Sequence, residues 1–279
     1  MRVLLTGAAG IVGKLVRPYL SEAFEEVVLL THKTPCENLK SNERSVQGNI
    51  EDRSFIESLL SEVDGVIHLA GLVGPDYTFD QVLGPNFVGT YNIFEAARKE
   101  GVKQIIYASS HHAVGFIPRG AAIDEHSSIR PDSYYGVSKA FGEILSAYFA
   151  DKYGLNILSV RIGSVTEKIE DERRTHTWNS PRDLAQLFEL GLTRNKQGHR
   201  LVYGVSKCPD PFFDNSSAEE IGYKPMDYSL DFIADPSILD TKPDPFLPEN
   251  LFIGGYFASG GLSEESLKRL REEMMEEDS

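Results

Sequence analysis

The stretch TGAAGIVG, residues 6–13, places three glycines at GxxGxxG spacing directly after the first apolar run of the chain. Residues 3–6 predict a buried strand, and residues 10–21 have the apolar periodicity of a helix. Glycines at such a junction allow a tight turn, close approach of the backbone to a pyrophosphate, and close packing of the helix against the strand. The free N–H groups of the helix N-terminus also favour an anion. The stretch therefore predicts a dinucleotide-binding fold.

Short apolar runs alternate with amphipathic stretches over the first half of the chain. Strands are predicted at residues 3–6, 27–31, 45–47, 65–69, 104–108 and 156–162, and helices at residues 10–21, 53–62, 86–100 and 133–153. Such alternation predicts a parallel sheet with helices on both faces. The expected fold class is α/β, a doubly wound parallel sheet of the Rossmann type with a small C-terminal substrate-binding lobe.

The alternation ends after the sixth of these strands. A helix at residues 181–194 and a strand at residues 200–205 are still predicted, but Pro, Gly, Asp and aromatic residues then dominate without regular periodicity. Ligands bind beyond the carboxyl ends of such strands, so this part is expected to contact the substrate. We expect a core over residues 1–165 that also takes the strand at 200–205, an interleaved substrate-binding lobe over residues 166–262, and a charged helical tail over residues 263–279.

Composition excludes several classes of protein. A net charge of −14 argues against a nucleic-acid partner, which needs a basic surface. No window is long and uncharged enough for a membrane span, and the N-terminal apolar run is too short for a signal sequence. The two cysteines, Cys36 and Cys208, have neither CxxC spacing nor a neighbouring His cluster. We therefore expect no metal site, no membrane partner and a reduced, cytoplasmic compartment.

The end of the second predicted strand bears on the choice of cofactor. An NAD enzyme usually carries an acidic residue there, which bonds the ribose hydroxyls. This chain has Thr31, His32, Lys33 and Thr34 instead, which favour a 2′-phosphate and hence NADP, or the use of both cofactors. A solvated loop in which Lys33 points to water is the alternative.

The motif YxxxK at Tyr135 and Lys139 is the strongest chemical signal in the chain. On a helix these side chains lie one turn apart on one face, so the lysine charge can lower the pKa of the phenol. The tyrosine can then exchange a proton with a substrate hydroxyl. Ser110, at the end of the fifth predicted strand, can hold the reacting oxygen. Together with the glycine turn, these residues predict a nicotinamide-dependent oxidoreductase of the short-chain type.

These motifs resemble those of the extended short-chain dehydrogenases, the NAD-dependent epimerase/dehydratase group. Within that group the chain is most similar to the uronate dehydrogenases, and the resemblance extends to about residue 260. It is carried by NFVGTYN at residues 86–92, ASSHH at 108–112, RIGS at 161–164, TW-S-D at 177–183, FDNS at 213–216 and GYKP at 222–225.

The resemblance implies oxidation of a hexuronate at C1 to an aldarolactone, with Tyr135 as general base. It implies that Arg173 binds the substrate carboxylate, with Arg174 as a competitor for that role; a solvated charged loop is the alternative for both. The expected substrate-binding residues are Val73, Ser110, His111, His112, Ser164 and Arg173, and the expected catalytic residues are Ser110, Tyr135 and Lys139. The expected cofactor-binding residues are Gly7, Ala9, Gly10, Ile11, Val12, Gly13, His32, Lys33, Asn49, Ile50, Leu69, Ala70, Gly71, Asn86, Ala108, Ser109, Tyr135, Lys139 and Ile162.

Three departures from the family pattern keep alternatives open. His111 replaces an Asn, Val73 replaces a Ser, and His32 replaces the Asp that favours NAD. An Arg with two nearby histidines also suits a sugar phosphate, so a sugar-phosphate dehydrogenase stays open. A nucleotide-sugar 4-epimerase or reductase is a further alternative, although the C-terminal part is short for one. A redox-sensing protein without catalysis is another.

The helices predicted at residues 86–100 and 133–153 carry more apolar residues than one buried face requires. The surplus side chains can pair across a two-fold axis. The sequence therefore predicts a homo-oligomer, a dimer or larger.

Overall fold

The computed structural model describes residues 1–196, 198–244 and 247–277. Its strands are β1 (Arg2–Thr6), β2 (Glu26–Thr31), β3 (Glu43–Gln47), β4 (Gly65–His68), β5 (Gln104–Ser110), β6 (Asn156–Ile162), β7 (Ser164–Val165), β8 (Trp178–Asn179) and β9 (His199–Gly204). Its α-helices are α1 (Ile11–Ala23), α2 (Arg53–Leu60), α3 (Phe79–Val82), α4 (Gly89–Glu100), α5 (Tyr134–Tyr153), α6 (Arg174–Thr177), α7 (Pro181–Arg194), α8 (Ser216–Glu220), α9 (Pro248–Leu251), α10 (Tyr256–Ser259) and α11 (Glu264–Glu277).

Seven strands form one parallel sheet in the order β3-β2-β1-β4-β5-β6-β9. The chain builds outward from β1 to β3 and then continues on the other side of β1 with β4. This reversal places a crevice at the carboxyl ends of β1 and β4, where doubly wound sheets bind their ligands. The expected doubly wound α/β fold is confirmed. The strand predicted at residues 200–205 is β9, and it forms the sheet edge beside β6.

Helices cover both faces of the sheet. Helices α1 and α7 pack together on one face, and α2, α4 and α5 pack on the other. The apolar side chains of each strand alternate between two buried clusters, so that Leu5 lies in one and Leu4 in the other. This two-sided burial explains why the strands read as continuous apolar runs in the sequence.

The helix predicted to begin at residue 86 begins earlier in the structure. Helix α3 starts at Phe79 and runs through a π-helical stretch, Leu83–Val88, directly into α4. Pro85 has no N–H and cannot donate an i→i−4 hydrogen bond. The helix does not end there but widens into π-helical turns and continues. The predicted start at residue 86 is therefore too late, because the helix continues through Pro85 in this widened form.

The remaining segments lie around the carboxyl end of the sheet. Strands β7 and β8 form a separate parallel pair, and single bridges join Pro118 to Phe252 and Ile123 to Phe213. Helix α11 matches the predicted charged helix, while residues 278–279 of the predicted tail lie outside the described residues. The division into core, lobe and tail stays a prediction. Among the described residues, none of the helices has the length and apolar character that crossing a bilayer requires.

Candidate active site

The glycine turn after β1 is built for close approach. Gly7 has φ +68°, and a Cβ there would lie 2.9 Å from the backbone nitrogen of Ala70. A Cβ on Gly13 would lie 2.4 Å from the Gly7 carbonyl oxygen, so this glycine seats α1 against the turn. Gly10 is the N-cap of α1, whose first turn has no acidic residue and no capping side chain. Its N–H groups therefore remain available to an anion, which fits a dinucleotide pyrophosphate.

A buried hydrogen-bond chain fixes the crevice between β1 and β4. The Thr6 hydroxyl accepts from the backbone N–H groups of Leu69 (3.1 Å) and Ala70 (3.0 Å) and donates to His68 Nδ1 at 2.8 Å. His68 Nε2 then carries the ring proton and donates to the Thr90 hydroxyl at 3.1 Å. Burial lowers the pKa of His68 to about 3, so the ring is neutral. This chain of hydrogen bonds fixes the carboxyl ends of β1 and β4 relative to each other.

A cleft of about 500 Å³, here called the glycine cleft, opens beside this turn. Predicted cofactor residues that line it are Gly7, Ala9, Gly10, His32, Lys33, Asn49, Ile50, Ala70 and Gly71. His32 and Lys33 are exposed, and the acidic Glu51 lines the same cleft. The cleft thus extends from the helix N-terminus to the end of β2, as a bound dinucleotide requires.

Three predicted cofactor residues, Ile11, Gly13 and Asn86, line neither this cleft nor the pocket beside it. Asn86 is buried in the π-helical stretch, where Oδ1 accepts from the Leu72 N–H at 2.8 Å. Its Nδ2 donates to the Leu72 carbonyl (3.0 Å) and to the Ser138 hydroxyl (2.9 Å). Asn86 therefore supports the wall of the cleft and links it to α5.

Tyr135, Lys139 and Ser110 meet at the carboxyl end of β5, where all three side chains are buried. The Lys139 ammonium donates to the Ala108 carbonyl at 2.7 Å and lies 5.5 Å from the centre of the Tyr135 ring. Burial raises the pKa of Tyr135 to about 12, although a hydrogen bond with Ser110 opposes the rise. Burial also lowers the pKa of Lys139 to about 8. The nearby ammonium favours the phenolate, which suits proton transfer at this tyrosine.

The predicted cofactor residue Ser109 has a different neighbourhood from Ser110. Its hydroxyl donates to Glu143 Oε1 at 2.5 Å on α5. Arg161 of β6 binds both oxygens of the same carboxylate, at 3.0 and 2.9 Å, and donates to the Tyr203 hydroxyl. This buried network joins β5, β6, β9 and α5, the helix that carries Tyr135. Sequence reasoning missed it, because a Glu and an Arg 18 positions apart show no spacing that would pair them.

A second cavity of about 280 Å³, here called the tyrosine pocket, lies beside the glycine cleft. Predicted residues that line it are Val12, Leu69, Val73, Ala108, Ser109, Ser110, His111, His112, Tyr135, Lys139, Ile162, Ser164 and Arg173. Val73 is exposed at its mouth, and the Ser164 and Thr177 hydroxyls lie 3.2 Å apart. The structure thus brings all six predicted substrate-binding residues to one cavity.

The two histidines of the tyrosine pocket are fixed by different acceptors. His111 Nδ1 donates to the Ile162 carbonyl at 3.0 Å, and its Nε2 is buried without a partner in the described residues. His112 Nδ1 lies 2.6 Å from Asp132 Oδ2. Burial, with the charge of Arg173, holds the pKa of both rings well below its usual value. Both rings are therefore neutral at physiological pH.

The adjacent arginines differ in their surroundings. Arg173 is half-buried in the tyrosine pocket, where Nη1 donates to the Ile253 carbonyl at 2.8 Å. No carboxylate of the described residues forms an ion pair with it, and burial lowers its pKa to about 10. Arg174 lines the same pocket, but it pairs with Asp171 at 3.1 Å and with Glu170 at 3.5 Å. Of the two, Arg173 is the cation available to an anionic ligand.

Sequence reasoning also missed Asp132 and Phe257. The Phe257 ring stacks on His112 with centroids 3.9 Å apart, and it reaches the pocket from α10. Asp132 precedes the Ser133 N-cap of α5 and looks like an ordinary helix-start residue. Neither position has a local pattern that indicates a site. Among the described residues, no group of three His, Cys, Asp or Glu side chains is arranged to bind a metal ion.

The chain belongs to the NAD dependent epimerase/dehydratase family, whose model matches residues 3–180. It is 40% identical to a uronate dehydrogenase of Pseudomonas putida, over 93% of this chain and 96% of that protein. The glucuronic acid dehydrogenase structure from Chromohalobacter salexigens superposes with a TM-score of 0.88 at 35% identity, covering 93% of this chain and 97% of that one.

A further solved structure that is similar to this chain is a complex with NAD. It is a tyrosine-to-alanine mutant of uronate dehydrogenase from Agrobacterium tumefaciens complexed with NAD. The TM-score is 0.87 at 34% identity, covering 94% of this chain and 98% of that one. The likeness in both structures extends over nearly the whole chain.

Proposed function

We propose that this protein is an NAD-dependent dehydrogenase that oxidises C1 of a hexuronate to an aldarolactone. The observation that carries the proposal is a single pocket in which Tyr135, Lys139 and Ser110 lie close to Arg173, a cation without a carboxylate partner among the described residues. Guanidinium binds carboxylate through two parallel hydrogen bonds, so an acidic sugar suits this pocket. The near full-length likeness to uronate dehydrogenases supports the same substrate class.

Residues of the glycine cleft fit NAD. Gly7 and Gly10 leave room for the pyrophosphate at the N-terminus of α1, and the cleft continues to His32 and Asn49 for the adenosine. The Lys139 ammonium, one turn from Tyr135, is available to the nicotinamide ribose. Bound NAD supplies the hydride acceptor. The NAD complex of a structural relative supports NAD as the natural cofactor, although His32 and Lys33 leave room for NADP.

The reaction removes a hydride and a proton from the C1 alcohol of the cyclic sugar. We infer that Ser110 holds the C1 oxygen and that Tyr135 accepts the proton of the hydroxyl. The hydrogen bond with Ser110 opposes the effect of burial on the Tyr135 pKa, and the Lys139 ammonium, 5.5 Å from the centre of the ring, favours the phenolate. Arg173 would orient the sugar by its carboxylate. The sugar leaves as a lactone because C1 becomes a carbonyl while the ring oxygen stays attached.

The histidines favour a uronate over a sugar phosphate. His111 and His112 each direct the Nδ1 proton to a protein acceptor, so each has Nε2 left to accept a hydrogen bond. The ring hydroxyls of a sugar supply such protons, whereas neither a carboxylate nor a phosphate dianion does, so the two rings are suited to hydroxyls and not to the anionic group. Because both rings are neutral, they add no positive charge to Arg173. The rings therefore supply no positive charge to match the second negative charge of a phosphate.

A spectrophotometric screen tests the proposal. Reduction of NAD and NADP at about 340 nm, the absorbance band of the reduced nicotinamide, would be followed with glucuronate, galacturonate, glucose 6-phosphate and neutral aldoses. We expect kcat/KM to be highest with a hexuronate and NAD. Conversion of a UDP-sugar in the absence of uronate turnover would refute the proposal in favour of an epimerase. Turnover of glucose 6-phosphate alone would establish a sugar-phosphate dehydrogenase.

We also propose a homo-oligomer assembled through α4 and α5, in a cytoplasmic compartment. Tyr91 of α4 and Ile144 and Tyr148 of α5 expose large apolar side chains on the outer surface of the molecule. Such side chains are commonly covered by a second copy. A light-scattering mass of one chain would contradict the assembly, and Ile144→Glu should shift an oligomer towards monomer. The two cysteines are free thiols, which suits a reducing compartment.

A further inference from the structure

Asp132 and His112 form a buried pair beside the reacting tyrosine. His112 Nδ1 and Asp132 Oδ2 lie 2.6 Å apart, and both side chains are almost fully buried. The His112 ring lies 5.8 Å, centre to centre, from the Tyr135 ring. The pair therefore lies close to the position proposed for C1.

The surroundings of the Asp132 carboxylate leave it little freedom. A Cβ on Gly115 would lie 1.9 Å from Oδ2, and a Cβ on Gly254 would lie 2.1 Å from it. The Ser133 hydroxyl donates to Oδ1 at 2.9 Å, and the Asp132 N–H donates to the His112 carbonyl at 3.4 Å. Two glycines from separate segments thus make room for this carboxylate, and the Ser133 hydroxyl holds its other oxygen.

The His112 ring is held on its face as well as at its edge. Phe257 stacks on it with an interplanar angle of 20°. Since Phe257 belongs to α10 and Asp132 precedes α5, two distant segments fix one imidazole. Such double restraint sets both the plane of the ring and the direction of Nε2.

The carboxylate also decides which ring nitrogen carries the proton. An ionised carboxylate only accepts hydrogen bonds, so a neutral His112 places its proton on Nδ1 and leaves Nε2 as an acceptor. We propose that Asp132 is a positioning residue that fixes the Nδ1–H tautomer of His112, so that Nε2 accepts a hydrogen bond from a sugar hydroxyl near C1. This inference rests on the proposed function, since it assigns a role in recognition of the same sugar.

Asp132→Asn tests the inference because it exchanges donor and acceptor in the hydrogen bond between residue 132 and His112, with little change in the shape of the side chain. The Ser133 hydroxyl, which donates to Oδ1, keeps the amide oxygen there, so the NH₂ group faces His112 Nδ1 and donates to it. The ring proton then moves to Nε2, which becomes a donor towards the substrate hydroxyl. In ¹⁵N NMR of the wild type, His112 Nε2 should show the shift of an unprotonated ring nitrogen and Nδ1 that of a protonated one. Asp132→Asn should exchange the two signals.

Kinetics with NAD and the best hexuronate give the second readout. Asp132→Asn should lower kcat/KM about 10- to 100-fold, mostly through KM, since a substrate hydrogen bond is lost while Tyr135 and Lys139 are untouched. In a His112→Gln background the same change should have little further effect, because Asp132 acts through the imidazole. Asp183→Asn, at a buried carboxylate that accepts from Ser206 and backbone N–H groups, is the control for an unspecific effect of replacing a buried carboxylate by an amide.

Each outcome has one interpretation. An unchanged ¹⁵N pattern, a wild-type kcat/KM in Asp132→Asn, or an equal loss in the His112→Gln background would overturn the inference. The proposed function would survive any of these, because wild-type turnover of a hexuronate is measured in the same series. If the wild type reduces NAD with no hexuronate, the proposed function fails, and the NMR signals still decide the tautomer.

Discussion

The glycine cleft and the tyrosine pocket lie side by side but are formed by different kinds of chemical groups. The cleft depends on backbone at Gly7, Gly10 and Ala70, and His32 and Lys33 are exposed where it reaches the end of β2. The pocket depends on buried polar side chains, and burial displaces the pKa of Tyr135, Lys139 and His112 from their usual values. The cleft is therefore suited to recognition by shape and amide dipoles, and the pocket to recognition by hydrogen bonds and charge.

This difference has a physical reason. A dinucleotide presents the same pyrophosphate to every enzyme of the class, and backbone N–H groups satisfy it without the desolvation of a charged side chain. Selection among sugars requires donors and acceptors at fixed positions, so the tyrosine pocket must bury polar groups and hold each one with a partner. Perturbed pKa values therefore concentrate on one side of the site.

Tyr135→Phe is the change with the largest expected effect, because it separates the two regions. Loss of the phenol oxygen should lower kcat about 10²- to 10⁴-fold by removing the general base. NAD affinity, measured by calorimetry, should change little because the cleft depends on backbone. An equal loss of NAD affinity would mean that the two regions do not function separately.

Gly7→Ala breaks the cleft instead. The added methyl would have to occupy φ +68° and lie 2.9 Å from the Ala70 nitrogen, so we expect about a 100-fold loss of NAD affinity with a lower Tm. Gly154→Ala is the matched control, since Gly154 has φ +70° with no atom within 4 Å of its would-be Cβ. Similar losses of NAD affinity in both variants would show that backbone strain, not close approach, is the cause.

Arg173→Ala tests the charged end of the tyrosine pocket. KM for a hexuronate should rise about 10- to 100-fold, because a charge-assisted hydrogen bond to the carboxylate is lost. KM for a neutral aldose should rise far less. Arg174→Ala, which removes a guanidinium already paired with Asp171, should leave both values near those of the wild type. The role of Arg173 would be refuted by equal increases for acidic and neutral sugars.

Stability should depend on pH through Asp132. Burial raises its pKa from 3.8 to about 6, so the folded protein holds this proton where the unfolded chain has lost it. Folding therefore loses stability as the pH rises from about 4 to about 6, by about 3 kcal/mol at most, and the loss persists above that. Asp132→Asn should raise Tm by a few degrees at pH 7.5 and much less at pH 4, in thermal unfolding monitored by fluorescence. A lower Tm at pH 7.5 would mean that the carboxylate stabilises the fold.

His32→Asp has the smallest expected effect and sharpens the description of the cleft. A carboxylate at the end of β2 accepts from the ribose hydroxyls and repels a 2′-phosphate, so the preference for NAD over NADP should increase about tenfold. Steady-state kinetics with both cofactors measure it, and Lys33→Ala should change the preference in the same direction. An unchanged preference in both variants would place these side chains in solvent.

The same difference between the two regions decides what could be predicted from the sequence. The glycine turn and YxxxK are short motifs whose residues lie within eight positions of each other, so their spacing alone indicates a site. The sheet followed from periodicity. The predicted helix start at residue 86 was wrong because apolar periodicity does not show that a helix can widen past Pro85 and continue.

The supporting contacts of the tyrosine pocket could not be predicted in this way. Asp132 pairs with a residue 20 positions away, and Arg161 with one 18 positions away. Such contacts depend on the register of β5 and β6 and on where α5 begins, which no short pattern encodes. The substrate-binding residues themselves came from family resemblance, and their roles stay predictions.

Arg173 is a half-buried cation on a protein whose net charge is −14. A hexuronate and NAD are both anions, so each must diffuse towards a repelling surface before it reaches a favourable site. At low ionic strength this repulsion lowers the rate of encounter, and salt relieves it once the Debye length falls to about 10 Å near 0.1 M. The proposed contact with Arg173 would be short-ranged and only partly screened. We therefore expect moderate salt to speed the arrival of the sugar more than it weakens its binding.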